Sequence, residues 1–233
     1  MVATFERVDG KPMTLGDIKA ENIGFGNTEL QLLNSDGANL VLPEDPDFPG
    51  TFASFIYMSE EEADGEFTVG WYLSEDQDAE HPKNDFELPF GQGFCMDRGD
   101  AGAALVYSGN VRGSDKPITL DTHFNYIGNC SPTDLTLGEI SAVNVGFGNT
   151  ELQFLNKDGA NMVLPDDPDF PGAFASFIYM SEEEADGEFT VGWYLSEDQD
   201  AEHPKNDFPV KAGQGFCVDR GDAGAQIVIP TAL

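Results

Sequence analysis

Two tandem, nearly identical all-β domains are the expectation for this sequence, and three observations carry it. Thr14-Leu15-Gly16-Asp17-Ile18 returns as Thr136-Leu137-Gly138-Glu139-Ile140, an offset of 122 residues that then holds without a gap to the end of the chain. Short segments rich in β-branched and aromatic residues are punctuated by Gly, Asn, Asp and Pro, as strands and their turns are. Long segments with a 3.6-residue apolar period are missing. Each copy therefore reads as an antiparallel β-sandwich-like unit.

The repeat is close enough to align residue by residue. Between Asp45 and Phe86 a single position differs, Thr51 against Ala173. Gly24-Phe25-Gly26-Asn27 recurs as Gly146-Phe147-Gly148-Asn149, Trp71 as Trp193, His81 as His203 and Cys95 as Cys217. Solenoid units repeat every ~20–50 residues, so a period this long is that of a domain. The boundaries expected are 1–112 and 113–233. Ile23/Val145, Leu40/Met162, Met96/Val218 and Leu105/Ile227 exchange one apolar group for another, as core positions allow. Glu87-Leu88-Pro89-Phe90 departs further, to Pro209-Val210-Lys211-Ala212, and is expected to face something different in each copy. Copy two also has a longer lead-in, 118–132, where copy one has only Met1 to Met13. The expectation is a piece of a longer array, or a first domain that borrows a strand. The join, 109–116, is short and polar, so the expectation is that the domains sit close together.

In chain order, the strands expected in copy one begin with a weak one within 3–8. Strands at 30–33 and 40–42 flank the turn Asn34-Ser35-Asp36-Gly37. The strand 52–58 runs into Ser59-Glu60-Glu61-Glu62, whose spacing is that of a capping box and one helical turn. Strands at 67–73, 93–97 and 103–107 complete the unit, and 118–127 opens copy two. Along 67–73, Phe67, Val69, Trp71 and Leu73 share one face, which makes Trp71 a core residue. Thr68, Gly70 and Tyr72 share the other, so Tyr72 and its twin Tyr194 are the candidates for an exposed ligand platform.

Charge removes whole classes of function. The chain carries 43 acidic against 11 basic side chains, a formal net charge of −32 and a sequence pI near 4.1. Nucleic-acid binding needs clustered Lys and Arg to neutralise phosphate, and an anionic membrane would repel this surface. With 40% hydrophobic and 11% aromatic residues, the chain can still build cores rather than stay disordered. No apolar run approaches the ~20 residues of a spanning helix, so membrane insertion is not expected. Met1 to Gly10 contains Glu6, Arg7 and Asp9 and no apolar stretch, so no signal peptide is expected in this chain.

Catalytic constellations are sparse. Three histidines occur, His81 and His203 in acidic loops and His123 in the lead-in of copy two. The sequence has no Gly-x-Ser-x-Gly elbow, no Walker loop and no Cys-x-x-Cys, and an enzyme is not expected. Arg98-Gly99-Asp100 and Arg220-Gly221-Asp222 spell an integrin-type tripeptide at an expected hairpin tip, which makes Arg98, Asp100, Arg220 and Asp222 candidates for receptor contact. The plainer reading is a polar turn. Asp76, Asp78 and Glu80, with Asp198, Asp200 and Glu202, alternate so that three carboxylates can converge on calcium in a turn. His81 stands where an EF-hand loop needs glycine, so this is no EF-hand; the alternative is an acidic, solvated surface. Three cysteines are too few for a disulfide scaffold. Cys130 and Cys217 can bond if the lead-in strand lies beside 215–219, and reduced thiols are the equal alternative.

Gly70-Trp71-Tyr72, an acidic loop, then Gly91-Gln92-Gly93-Phe94 and a closing strand resemble uncharacterised repeat domains of bacterial secreted or surface proteins. Phe124-Asn125-Tyr126-Ile127-Gly128-Asn129 looks like the start of such a unit. The resemblance implies an extracellular or cell-surface β-rich module and brings no catalytic residues. The expectation is a non-enzymatic tandem-repeat protein with a structural or adhesive role, stabilised by calcium. The rivals are a carbohydrate-binding module, or a subunit that self-associates into filaments by strand addition.

Overall fold

The computed structural model describes residues 2–3, 7, 10–21, 25, 28–76, 78–98, 104–107, 115–143, 150–198, 200–220 and 224–230. The chain divides into two compact units, Val2–Asn110 and Val111–Leu233. Every strand pairing described is antiparallel, and the fold is all-β.

The N-terminal unit runs β1 (Val2–Ala3), β2 (Met13–Thr14), a single 3-10 turn at Leu15–Asp17, β3 (Ile18–Glu21), β4 (Thr28–Gln31), β5 (Val41–Leu42) and β6 (Thr51–Phe52). It continues with β7 (Ser54–Met58), α1 (Glu60–Ala63), β8 (Gly70–Leu73), β9 (Glu87–Leu88), β10 (Gly93–Arg98) and β11 (Ala104–Tyr107). One sheet of five strands, in the order β1-β10-β4-β7-β8, forms its centre, with the short ladders β2–β9, β3–β11 and β5–β6 beside it. Leu30, Phe55, Tyr57, Trp71, Leu73 and Phe94 of the large sheet meet Met13, Ile18, Ala20 and Leu88 of the ladders and Leu15 of the 3-10 turn in one core. Apolar burial at this joint is the main force holding sheet and ladders together.

The C-terminal unit opens with β12 (Lys116–Thr119) and β13 (His123–Gly128), then β14 (Leu135–Thr136), β15 (Ser141–Val143), β16 (Thr150–Gln153), β17 (Val163–Leu164) and β18 (Ala173–Phe174). β19 (Ser176–Met180), α2 (Glu182–Ala185), β20 (Gly192–Leu195), β21 (Pro209–Val210), β22 (Gly215–Arg220) and β23 (Gln226–Ile229) follow. Its large sheet reads β13-β22-β16-β19-β20, the order of the first with β13 where β1 stands. Phe154 replaces the Leu32 of copy one and packs against Phe177, Phe208 and Phe216.

Several strand boundaries differ from expectation. Strand 52–58 is broken at Ala53 into β6 and β7, and strand 30–33 is displaced to Thr28–Gln31. The lead-in of copy two is two strands, β12 and β13, because the chain turns at 120–122 and His123 has a φ of 63°. Strand 103–107 is found as β11, but its partner β3 and both strands of the ladder β2–β9 had no periodic signal long enough to find. The divergent block is divided by depth. Leu88 and Val210 are both fully buried, while Lys211, which has no charged counterpart in copy one, pairs at the surface with Asp134 at 2.7 Å. The capping box forms as expected: Ser59 Oγ accepts the Glu62 N–H and the Glu62 carboxylate accepts the Ser59 N–H.

Strand β8 corrects the reading of its faces. Only Gly70–Leu73 is strand, and Phe67 lies in a loop with 47% of its surface exposed. Trp71 and Leu73 point into the main core, as expected. Tyr72 does sit on the opposite face, but that face is not open. Ile56, Met58, Ala63 and Ala79 cover it, and Tyr72 has no exposed surface. Tyr194 is likewise fully buried, among Ile178, Met180, Ala185 and Ala201. Neither tyrosine is a ligand platform. The α1 turn and the acidic loop after β8 fold over this face, which the local alternation could not reveal.

Candidate functional site

The densest polar constellation of each unit forms where the loop after β8 meets the loop before β6. Asp76 is the third residue of the first of these loops and is buried, with 4% relative exposure. Its carboxylate accepts the backbone N–H of His81 at 2.7 Å and of Glu80 at 3.3 Å. Its own carbonyl accepts the Ala79 N–H at 3.1 Å, with Ala79 held at a φ of 54°. Asp76 is thus the internal brace of its loop, and satisfying two amides repays its burial. Asp78 and Glu80 are exposed. Among the described residues no group of three His, Cys, Asp or Glu side chains is placed to hold a metal ion. The expected calcium trio Asp76, Asp78 and Glu80 is therefore not assembled, nor is its copy Asp198, Asp200 and Glu202. The first member of each is committed to backbone amides.

Lys83 ties the two loops together. Its ammonium lies 3.0 Å from Asp45 and 2.9 Å from Asp47, and about 6.0 Å above the ring centre of Phe48. Burial alone would raise the Asp45 carboxyl; the amide of Phe48, Lys83 and the amide of Asp47 outweigh it and hold the group below the ordinary carboxylate value. Burial would likewise lower Lys83, but Asp47 and Asp45 outweigh it and raise it above the usual lysine value. The His81 ring packs edge-on against Phe48, with Nε2 3.6 Å from Asp47 and Nδ1 3.7 Å from Asp76. Its Nδ1 is buried without a hydrogen bond. Asp167, Asp169, Phe170, Asp198, His203 and Lys205 repeat the arrangement, with Lys205 3.0 Å from Asp167 and 3.1 Å from Asp169.

No family model, curated protein or solved structure matches the chain.

The chemistry open to this constellation is narrow. A general base or nucleophile working near neutral pH needs a lysine lowered or a carboxyl raised toward that range. Lys83 and Asp45 are shifted the opposite way, which fixes both in their charged, mutually paired forms. Beside them, Leu42, Pro43, Glu44, Asp45, Pro46 and Phe86 line an open hollow of about 330 Å³. Its charged lining is Glu44 and Asp45, and Asp45 is already paired with Lys83.

The remaining candidates divide as follows. Arg98 and Arg220 end β10 and β22, while Asp100 and Asp222 lie outside the described residues, so the tripeptides cannot be read as presented loops. The lead-in strand does lie beside β22, with Tyr126 opposite Cys217. No disulfide forms, however: Cys95, Cys130 and Cys217 all carry thiols. Cys130 lies four residues beyond the partner position of Cys217, past the end of β13. Burial raises the Cys95 thiol above its ordinary value, away from the reactive thiolate.

Sequence reasoning missed Asn84 altogether. Its side chain lies along the outer edge of β8, where Oδ1 accepts the Trp71 N–H at 3.0 Å and Nδ2 donates to the Val69 carbonyl at 3.0 Å. Lys83 N–H donates to the Trp71 carbonyl at 2.7 Å. One amide side chain and one backbone N–H thus stand in for a sixth strand, and Asn206 and Lys205 do the same at β20. The available signal was a glycine before each tryptophan and an asparagine thirteen residues beyond it, kept in both copies.

Proposed function

We propose that the chain is a non-enzymatic structural module of tandem β units belonging to an extracellular or cell-surface protein. One observation carries this reading. The polar residues best suited to chemistry are each engaged in holding loops in place: Asp76 within its own loop, Asp45 and Lys83 between two loops, and Asn84 at the edge of β8. Their twins Asp167, Asp198, Lys205 and Asn206 are engaged identically. Such commitment favours a scaffold over a ligand site, because a catalytic or binding group must exchange partners during its work. The resemblance to repeat domains of secreted and surface proteins supports the compartment, as does an acidity that opposes aggregation.

A glycan array at several calcium concentrations, with surface biotinylation of the producing cells, tests the proposal. Labelling of the protein on intact cells without saturable glycan binding is the expected result. Saturable glycan binding would replace the scaffold reading with a carbohydrate-recognition module.

A further inference from the structure

We propose that the hollow after β5 is a docking site for an arginine-bearing, extended segment of a partner protein. The arginine stem lies on the apolar wall and its guanidinium meets Glu44. The inference is independent of the cellular compartment and of the scaffold role.

The sequence builds this hollow from a loop that holds its own shape. Pro43 and Pro46 each fix a backbone angle and donate no hydrogen bond. Between them Asp45 folds the loop on itself, its Oδ1 accepting the N–H of Phe48 at 2.9 Å and of Asp47 at 3.1 Å. Gly50 N–H donates to the Leu42 carbonyl at 2.8 Å and closes the loop at its base. Lys83 then pins Asp45 at 3.0 Å. Phe86 supplies an aromatic wall, its ring 5.1 Å from that of Phe55 and its N–H donated to the Lys83 carbonyl at 2.9 Å. Leu42, Phe48 and Phe86 all pack against the main core. The site is thus formed before a partner arrives, so little ordering entropy opposes binding.

Two properties select the occupant. The first is the apolar lining of Leu42, Pro43, Pro46 and Phe86, in a volume of about 330 Å³ at the small end of ligand cavities. That space suits one long side chain. The second is sign. Glu44 is exposed and makes no ion pair among the described residues. Asp85 and Glu87, on either side of Phe86, are exposed acids too, while Lys83 is already held by Asp45 and Asp47. A free carboxylate beside apolar surface and an aromatic ring complements a cation on an apolar stem. Arginine fits better than lysine, because its planar, weakly hydrated guanidinium stacks on rings and meets a carboxylate with two donors. An anionic ligand is repelled, and so is a second copy of a chain of net −32. The C-terminal unit keeps the residues as Leu164, Pro165, Asp166, Asp167, Pro168 and Phe208, with the same turn at Asp167. Two such surfaces in one chain favour a partner whose arginines recur.

The test is amide NMR on the full chain, titrated with an acetylated, amidated octapeptide alternating glycine and arginine in about 50 mM salt, where surface charge is weakly screened. Saturable shifts are expected at Leu42, Glu44, Asp45 and Phe86 and at their twins. Glu44→Gln, an exposed change that leaves the fold intact, should weaken binding to the N-terminal unit about three- to fivefold and leave the twin site as it was. Asp78→Asn combined with Glu61→Gln removes two exposed charges elsewhere on the same unit and should alter neither site. Peptides with lysine in place of arginine should bind more weakly, and those with neutral citrulline should not saturate. An equal loss from the Asp78 and Glu61 variant would reduce the effect to diffuse charge and overturn the proposal. So would a Glu44→Gln chain that binds as before, lysine or citrulline peptides that bind as well, or no saturation at about 5 mM peptide. Acetylarginine amide binding as tightly as the octapeptide would make the hollow a small-cation site instead.

Discussion

Gly70 and Asn84 interlock: a Cβ built on Gly70 would stand 1.9 Å from the Asn84 Oδ1. Gly70 has a φ of +142°, a conformation L side chains rarely adopt, so strain and steric exclusion coincide at one residue. Gly192 and Asn206 reproduce the pair at the same 1.9 Å. The empty space above Gly70 is where the side-chain amide reaches the edge of β8. Gly16 closes the other flank, donating its N–H to the Asn84 carbonyl at 2.8 Å.

Gly70→Ala should therefore destabilise the chain by about 2–4 kcal/mol, combining backbone strain with loss of the two edge hydrogen bonds. Asn84→Ala should cost about 1–3 kcal/mol, because the Trp71 N–H is left unsatisfied beside a packed core. The double variant removes the clash, so it should cost clearly less than the sum of the single variants. Urea unfolding of the four proteins measures the coupling, and strict additivity would refute the interlock.

The Asp45–Lys83 pair sets a pH window. The Asp45 carboxyl is depressed in the folded chain, so its contribution is present above the unfolded value near ~4 and disappears as pH falls through the folded value. Lys83 is raised, so its contribution is complete below the unfolded value near ~10.4 and disappears as pH climbs through the folded one. Lys83→Met should cost about 1–3 kcal/mol at pH 7, less than a wholly buried pair because Asp47 is 33% exposed. At pH 3 the gap between wild type and variant should shrink. A gap independent of pH would show that Lys83 acts through packing alone.

Tyr72 belongs to the second core and should behave so. Tyr72→Phe removes the hydroxyl that donates to the Thr68 carbonyl at 2.5 Å, at a cost of about 1 kcal/mol. Tyr72→Ala leaves a cavity costing about 3–5 kcal/mol. Burial pushes Tyr57, Tyr72, Tyr179 and Tyr194 above the ordinary phenol value. Their protonated form is therefore the native one, and their contribution is lost as pH rises through the folded values. Ultraviolet titration should show a group of tyrosines ionising late, together with unfolding. Four tyrosines titrating at the ordinary value in the folded protein would contradict this.

Asp76 is separated from its acidic neighbours by a single comparison. Asp76→Ala should lower stability by about 1–3 kcal/mol, because two loop amides lose their acceptor. Asp78→Asn, on the exposed side of the same loop, should change it by less than about 0.5 kcal/mol. Melting curves in 1 mM calcium and in sodium chloride of equal ionic strength should show the same Asp76→Ala deficit. A deficit that exists only with calcium would assign Asp76 to a metal instead.

Two kinds of information are separable in this protein. Local pattern was sufficient for the all-β class, the core position of Trp71, the Ser59 capping box and the Asn34 turn. Each depends on residues close in sequence and on the two-residue period of a strand. Asn34 Oδ1, for example, accepts the N–H groups of Asp36 and Ala38, within four residues. The 122-residue repeat was equally open to reading, since comparing a chain with itself requires no structure. What covers each face was not legible. Tyr72 and Trp71 alternate as a strand must, yet both are buried, because Ala63 and Ala79 return from elsewhere in the chain to close the second face. That the loop folds its own amides of Glu80 and His81 onto the Asp76 carboxylate was likewise not legible. Asn84 carried no periodic signal, only its recurrence as Asn206, since its role depends on lying beside a strand thirteen residues earlier. The two-residue period orients a side chain relative to its own strand, but burial and partnership depend on contacts between distant segments, which only the tertiary structure decides.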